Sequence, residues 1–170
     1  MSDADALIIP GVGAFGVAMN NLSKFSDIVL DHVASDKPLL GICLGLQLLF
    51  ESSEETPDVS GLGLFEGVVR RFDLDSSFKI PHMGWNQISV NDTSLNNVSI
   101  LDGADNEYMY FVHSYYVDPV CMDYVTAFTD YGGDVPVAVG RDNLFALQFH
   151  PEKSGRVGLN ILRNFVDLID

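Results

Sequence analysis

Lysine, cysteine and long apolar runs are what this 170-residue chain has least of. Four Lys and five Arg stand against 18 Asp and six Glu, which leaves a formal charge of −15. A surface of that sign repels phosphate backbones and anionic headgroups, so no nucleic-acid partner and no membrane partner is expected. The Asp-rich, Lys-poor bias suits a high-salt cytoplasm and an ordinary acidic protein equally well. Two cysteines, Cys43 and Cys121, are too few for a disulfide framework, and each sits in an apolar run, as reduced thiols do. No stretch reaches the roughly 18 apolar residues of a spanning helix. The first residues, Met-Ser-Asp-Ala-Asp, are acidic where a secretory leader is basic. These absences describe a soluble, cytoplasmic chain with no expected metal or cofactor.

What is present is a globular composition, 47% hydrophobic against 19% charged, which excludes disorder. The apolar run Ala6-Leu7-Ile8-Ile9, stopped by Pro10-Gly11, predicts a buried strand feeding a glycine loop. Val17 to Ala34 reads as helix in two pieces with a break at Ser26-Asp27, a good N-cap. Pro38 to Ile42 reads as a second strand and Leu44 to Glu54 as the helix after it. Strand, tight glycine turn and helix in succession predict an α/β fold. The middle is β-rich: Phe65 to Phe72, Asn86 to Val90, Tyr108 to Val117, Tyr124 to Thr129 and Leu144 to Phe149, with turn signals at Asn91-Asp92 and Gly132-Gly133. The end is helical, with Ser154 as cap and Val157, Ile161, Leu162 and Phe165 at helix spacing. The expected architecture is one domain over residues 1–170: an open, mostly parallel sheet flanked by helices, with an added antiparallel β-rich layer.

Gly41-Ile42-Cys43-Leu44-Gly45 is the most informative segment. A cysteine between strand and helix, with glycine two before and two after, is the thiol form of a nucleophile elbow. The turn places sulfur at a helix N-terminus, where free N–H groups and the dipole favour thiolate and can hold an oxyanion. The bland alternative is an inert cysteine in a βα turn. On this reading Cys43, not Cys121, is the reactive thiol. His150-Pro151-Glu152 supplies a base and its orienting carboxylate. Residues two apart on an extended segment point the same way, and Pro151 keeps His150 out of helical geometry. Alone, this triplet reads as well as a surface His before a helix start. Together with Cys43 it matches Cys–His–acid acyl transfer. His32 reads as a surface residue and His113 as structural.

With Gly41-Ile42-Cys43-Leu44-Gly45-Leu46-Gln47, Gln148-Phe149-His150-Pro151-Glu152 and the loop Pro10-Gly11-Val12-Gly13 in this order, the chain resembles the class I, triad-type glutamine amidotransferases over nearly its whole length. The resemblance implies that Cys43 attacks the side-chain amide of glutamine, that His150 carries the proton and that Glu152 fixes its tautomer. It implies an oxyanion hole from Leu44 and the Val12-Gly13 region. It also implies glutamine binding at Gly11, Gln47, Glu55, Ser114 and Tyr115. Pro81-His82-Met83-Gly84-Trp85-Asn86, Tyr110 to Tyr115 and His150 to Ser154 are similar to family members that pass ammonia to a separate cyclase in histidine biosynthesis. That similarity implies a heterodimer in which His82, Met83, Trp85, Asn86 and Lys153 face the cyclase subunit. Two alternatives stay open: a non-catalytic cyclase-binding fragment, and a glutaminase serving a different acceptor enzyme. The family begins with a strand–helix–strand that Met1 to Asp5 cannot supply. The resemblance therefore implies an N-terminally incomplete domain, with unpaired backbone beside the strand carrying Cys43.

Overall fold

The computed structural model describes residues 4–91 and 99–169. The opening Met-Ser-Asp and Asp92 of the expected Asn91-Asp92 turn lie outside them. Among the described residues ten strands form two sheets. The larger has seven strands, ordered β1 (Leu7–Gly11), β2 (Leu39–Cys43), β10 (Leu144–Leu147), β9 (Asp134–Arg141), β8 (Val125–Asp130), β5 (His82–Val90) and β6 (Tyr108–His113). The smaller joins β3 (Phe50–Ser53), β4 (Phe65–Arg71) and β7 (Tyr115–Pro119). The helices are α1 (Phe15–Leu22), α2 (Ser26–Ala34), α3 (Leu44–Leu48) and α4 (Gly155–Val166).

The α/β architecture with antiparallel strands added is the expected one, but the large sheet is mixed and not mostly parallel, and the division between the two kinds of pairing is sharp. β1, β2 and β10 are mutually parallel. From β10 onward, every neighbour in the large sheet is antiparallel. The antiparallel strands thus continue the same sheet, and the three-stranded sheet is the separate piece. β2 is buried at all five residues, as a strand covered on both faces must be. It is paired on both sides, by β1 and β10, so the expectation of unpaired backbone beside the Cys43 strand does not hold. Among the described residues the outer edges of β1 and β6 have no strand partner.

Three local expectations need correction, and one strand, β9, stands beyond them. α3 spans five residues and not eleven, because it is buried all round and has no wet face. Leu49 and Phe50 carbonyls instead accept from Phe65 and Gly63 N–H as the chain turns into β3. Tyr108 to Val117 is two strands in different sheets, parted at Ser114. β9 is central despite Pro136, and lies where the ladder with β8 is irregular nearby, the setting in which a sheet tolerates proline. Ser26 lies inside α2 and Ser154 holds the N-cap position of α4, but neither side chain caps its helix: Ser26 Oγ donates to Ser23 O, and Ser154 Oγ to His150 O.

The core fills the space between sheet and helices. Phe145, Phe149, Ile161 and Phe165 pack with Leu40 and Phe111 on one side, and Phe50, Phe65, Val69 and Val139 on the other. A fully buried Phe or Leu of this set contributes about 1.5–3 kcal/mol. His32 belongs to this interior and not to the surface. It is 6% exposed, with Nε2 3.0 Å from the Pro38 carbonyl, so it ties α2 to the start of β2.

Candidate active site

The C-terminal ends of β1, β2 and β10 converge on the elbow. Cys43 has φ 55° and ψ −109°, a conformation that L residues hold only under steric compulsion and that is met at functional turns. The compulsion is visible in the glycines. A Cβ at Gly41 would lie 2.9 Å from Gly45 O, and one at Gly45 would lie 1.8 Å from Ile9 O. Nothing larger than glycine fits between β1 and the first turn of α3.

Burial governs the Cys43 sulfur. The residue is 6% exposed, and desolvation pushes the thiol up to about 11. The Leu44 N–H and the Gln148 amide pull it back, Glu152 pushes it up through its charge and Lys153 draws it down. Burial outweighs the Leu44 N–H and the Gln148 amide, so the resting thiol is raised where the elbow predicts it lowered. Cys121 is only half-buried, which makes it the more accessible of the two.

His150 is 3% exposed. Its Nδ1 lies 2.7 Å from Glu152 Oε1, and its Nε2 has no hydrogen-bond partner among the described residues. The carboxylate accepts a proton on Nδ1, so in the neutral ring it is Nε2 that carries the lone pair. The pair is not built on extended chain as predicted: Pro151–Lys153 is a 3₁₀ turn, and the turn brings Glu152 back under the ring.

In front of Cys43 lies a cavity of about 330 Å³, a volume in the range of small-molecule pockets. Val12, Gly13, Cys43, Leu44, Gln47, Glu55, Ser114 and Tyr115 all line it. Gly11 lies behind, where a Cβ would touch Leu44 Cβ at 3.0 Å. Gly13 has φ 106°, a left-handed conformation suited to glycine, and Val12 beside it is 78% exposed. Gln47 is buried, with Nε2 3.3 Å from Tyr115 O and 3.1 Å from Gln148 Oε1. Glu55 Oε2 accepts from Phe15 N–H at 2.7 Å. It thereby satisfies an open amide at the start of α1 and holds that helix against the cavity.

The residues expected at a partner surface divide by strand parity. Met83 and Trp85 point outward, 62% and 56% exposed. His82 points inward, 3% exposed, stacked between Tyr131 and Phe111 at 3.8 and 4.7 Å between centroids. Its side chain therefore does not belong to the surface, since even-numbered positions of β5 face the interior here. Asn86 shares that parity and donates to Asp130 O at 2.9 Å. Lys153 stands over the Tyr110 ring at 5.8 Å, and Trp85 meets the same ring edge-on at 6.1 Å. Met83, Trp85, Tyr110 and Lys153 thus form one patch. Tyr110 was not singled out from sequence, although its outward alternation on β6 opposite Trp85 would have marked it.

His82 Nδ1 lies 3.0 Å from His113 Nε2, and His113 Nδ1 lies 2.8 Å from Tyr115 O. Both rings are held neutral by burial, His82 pushed down to about 4 and His113 to about 3. His113 also lines the cavity, so its structural part is played at the pocket wall. Among the described residues no His, Cys, Asp and Glu grouping could hold a metal ion, and no helix is long and apolar enough to cross a membrane.

The family model described as glutamine amidotransferase class-I matches residues 1–168. The chain is 51% identical over 166 residues to the imidazole glycerol phosphate synthase subunit HisH of Methanothermobacter thermautotrophicus, covering 98% of this chain and 80% of that one. It is 46% identical over 174 residues to the subunit of the same name from Bacillus subtilis, covering 99% and 80%. Among solved structures, PurLQS from Thermotoga maritima superposes with a TM-score of 0.72 at 19% identity, over 100% of this chain and 82% of that one. At that identity the likeness speaks for the fold.

Proposed function

The chain belongs to the class I glutamine amidotransferases, and from that premise we propose that it is a glutaminase subunit of imidazole glycerol phosphate synthase. It hydrolyses glutamine to glutamate and ammonia in the cytoplasm. The ammonia passes to a cyclase subunit that makes imidazole glycerol phosphate and AICAR from PRFAR in histidine biosynthesis. The observation that carries the reading is the buried His150 ring, with Nδ1 held by Glu152 and Nε2 left to accept a proton. The same segment sets Gln148 against Cys43 Sγ, at an elbow that exists only because two glycines permit it.

Glutamine enters the cavity before Cys43. His150 Nε2 takes the thiol proton as sulfur attacks the amide carbon, so the high resting value of the thiol is met by transfer to a base and not by prior ionisation. The oxyanion is held by Leu44 N–H and an N–H of the Val12-Gly13 loop. His150 then gives its proton to the departing ammonia and activates water to cleave the thioester. Gln47, Glu55, Ser114 and Tyr115 hold the substrate. Val12 is exposed and Gly13 adopts φ 106°, so this loop is free to rest away from the oxyanion and to turn toward it when a partner docks. Met83, Trp85 and Lys153, with Tyr110, form the docking patch.

The test is steady-state release of glutamate by the chain alone, with cyclase, and with cyclase plus its ribonucleotide ligand. The expected result is a low rate alone that rises by about 10²–10³ when a missing oxyanion donor is supplied. Cys43→Ser and His150→Ala should abolish release in all three. Full activity in either variant removes the triad from the mechanism. Equal rates in all three conditions remove the partner's control.

A further inference from the structure

Two buried glutamine side chains connect the cavity wall to the nucleophile, and one backbone carbonyl fixes which way both point. Tyr115 O is an acceptor by nature. Gln47 therefore turns its amide nitrogen, not its oxygen, toward it at 3.3 Å. The same nitrogen reaches Gln148 Oε1 at 3.1 Å, so both Gln47 amide protons are committed. Gln148 must then present its oxygen to Gln47 and its nitrogen to what lies on the other side. What lies there is Cys43 Sγ, 3.8 Å from Gln148 Nε2. A flipped Gln148 would set two amide nitrogens face to face, with an oxygen against sulfur.

Gln148 is fully buried and is not among the residues lining the cavity. A buried amide there is costly unless each end is used. It approaches sulfur from behind, out of reach of substrate. We propose that Gln148 is a second donor to the nucleophile, stabilising the Cys43 thiolate from the closed side of the site, with Gln47 as the positioning residue that keeps its amide so directed. The proposal rests on the glutaminase reading of Cys43 and adds a residue to it. One N–H, from Leu44, leaves the sulfur to serve the oxyanion of the tetrahedral intermediate that precedes the thioester. The Gln148 N–H has no such second task and stays with sulfur through each turnover, as nucleophile and as leaving group.

The charged groups acting on Sγ are Glu152 and Lys153, both on the Pro151–Lys153 turn, and the neutral ones are the Leu44 N–H and Gln148. Alkylation of Cys43 by iodoacetamide reads thiolate directly and needs no glutamine turnover, so the two readings fail separately. It is followed by peptide mapping in the full chain carrying Cys121→Ser, between pH 7 and 10. Gln148→Met keeps the volume and removes the donor. It should slow alkylation about tenfold at each pH, the effect of losing one hydrogen bond to a charged group. Gln148→Glu, with a carboxylate against sulfur, should slow it further. A packing role alone would loosen the site and leave alkylation unchanged or faster, and that result overturns the proposal. Should neither variant fold, the unmutated ¹⁵N-labelled chain decides. The Gln148 side-chain amide resonances should shift on alkylating Cys43, and unmoved resonances overturn the assignment. A chain that alkylates as described yet releases no glutamate leaves the Gln148 assignment standing and refutes the glutaminase.

Discussion

The parallel and antiparallel ends of the large sheet both bury polar side chains, and they handle them in opposite ways. At the antiparallel end, His82 and His113 have their ring nitrogens accounted for by each other, by Tyr115 O and by Asn86 Nδ2. Aromatic rings cover their faces. At the parallel end, His150 Nε2 is unpartnered among the described residues, Cys43 is held at positive φ and its thiol is raised by burial. One end is quiet because each polar atom is satisfied. The other holds unmet hydrogen bonding and backbone strain, each worth about 1–3 kcal/mol. Such groups persist where chemistry uses them.

The contrast can be broken most severely at Glu152. Glu152→Gln should lower glutamine turnover about 10³-fold, because an amide no longer selects the tautomer that leaves Nε2 as base. The measurement is kcat with cyclase present, and a loss below tenfold would show that Glu152 is not what orients the ring. Gly45→Ala comes next. With Ile9 O only 1.8 Å from the new methyl, the chain should lose about 3 kcal/mol or more in urea unfolding. Gly63→Ala, where nothing lies within 4 Å but φ is +63°, should cost about 1 kcal/mol from backbone strain alone. Equal losses would deny that the elbow is tighter than an ordinary turn.

Acid sharpens the other end. The unfolded chain protonates His82 and His113 below about pH 6.5, while the folded chain resists until about 4 and about 3. Stability is therefore full above 6.5 and falls as pH drops through that window, by about 2 kcal/mol per histidine between pH 7 and 5. Urea midpoints at pH 7, 6 and 5 should decline accordingly, with the decline halved in His82→Gln; a flat series would mean that the rings accept protons when folded. Trp85→Ala should weaken cyclase binding about tenfold to thirtyfold, as loss of an aromatic anchor does, with an unbound glutaminase rate like that of the unaltered chain. The smallest effect is a matter of order. Cys121 should label before Cys43 with iodoacetamide at pH 7, because access and burial favour it.

Strands beside the glycine turns were legible in the sequence because they are short apolar runs punctuated by Pro and Gly. The Cys43, His150 and Glu152 positions could be named because elbow and triplet are local patterns. β9 escaped because Pro136 argues against a central strand. Tyr108 to Val117 looked continuous because nothing in composition says that Ser114 hands the chain from one sheet to the other. His32 and His82 were placed at the surface for want of any local sign of what covers them. Gln148 lies 105 residues from Cys43 and 101 from Gln47. A bond across such separations leaves no local periodicity, although Gln148, His150 and Glu152 do alternate in sequence.

The Tyr115 carbonyl has one more consequence. It accepts from Gln47 on one side and from His113 on the other. On the histidine arm every donor points toward it, from Asn86 through His82 and His113; on the glutamine arm only the first bond does, because Gln47 also donates outward to Gln148, which donates to Cys43. A Grotthuss chain needs every member to receive and release in the same sense, and here the sense reverses at an atom that carries no proton. The two arms can pass displacement from the rim of β5 to the sulfur, but they cannot pass protons. Whatever proton current serves glutamine cleavage must enter through His150 and the cavity mouth, and solvent isotope effects on turnover should be indifferent to the state of His82.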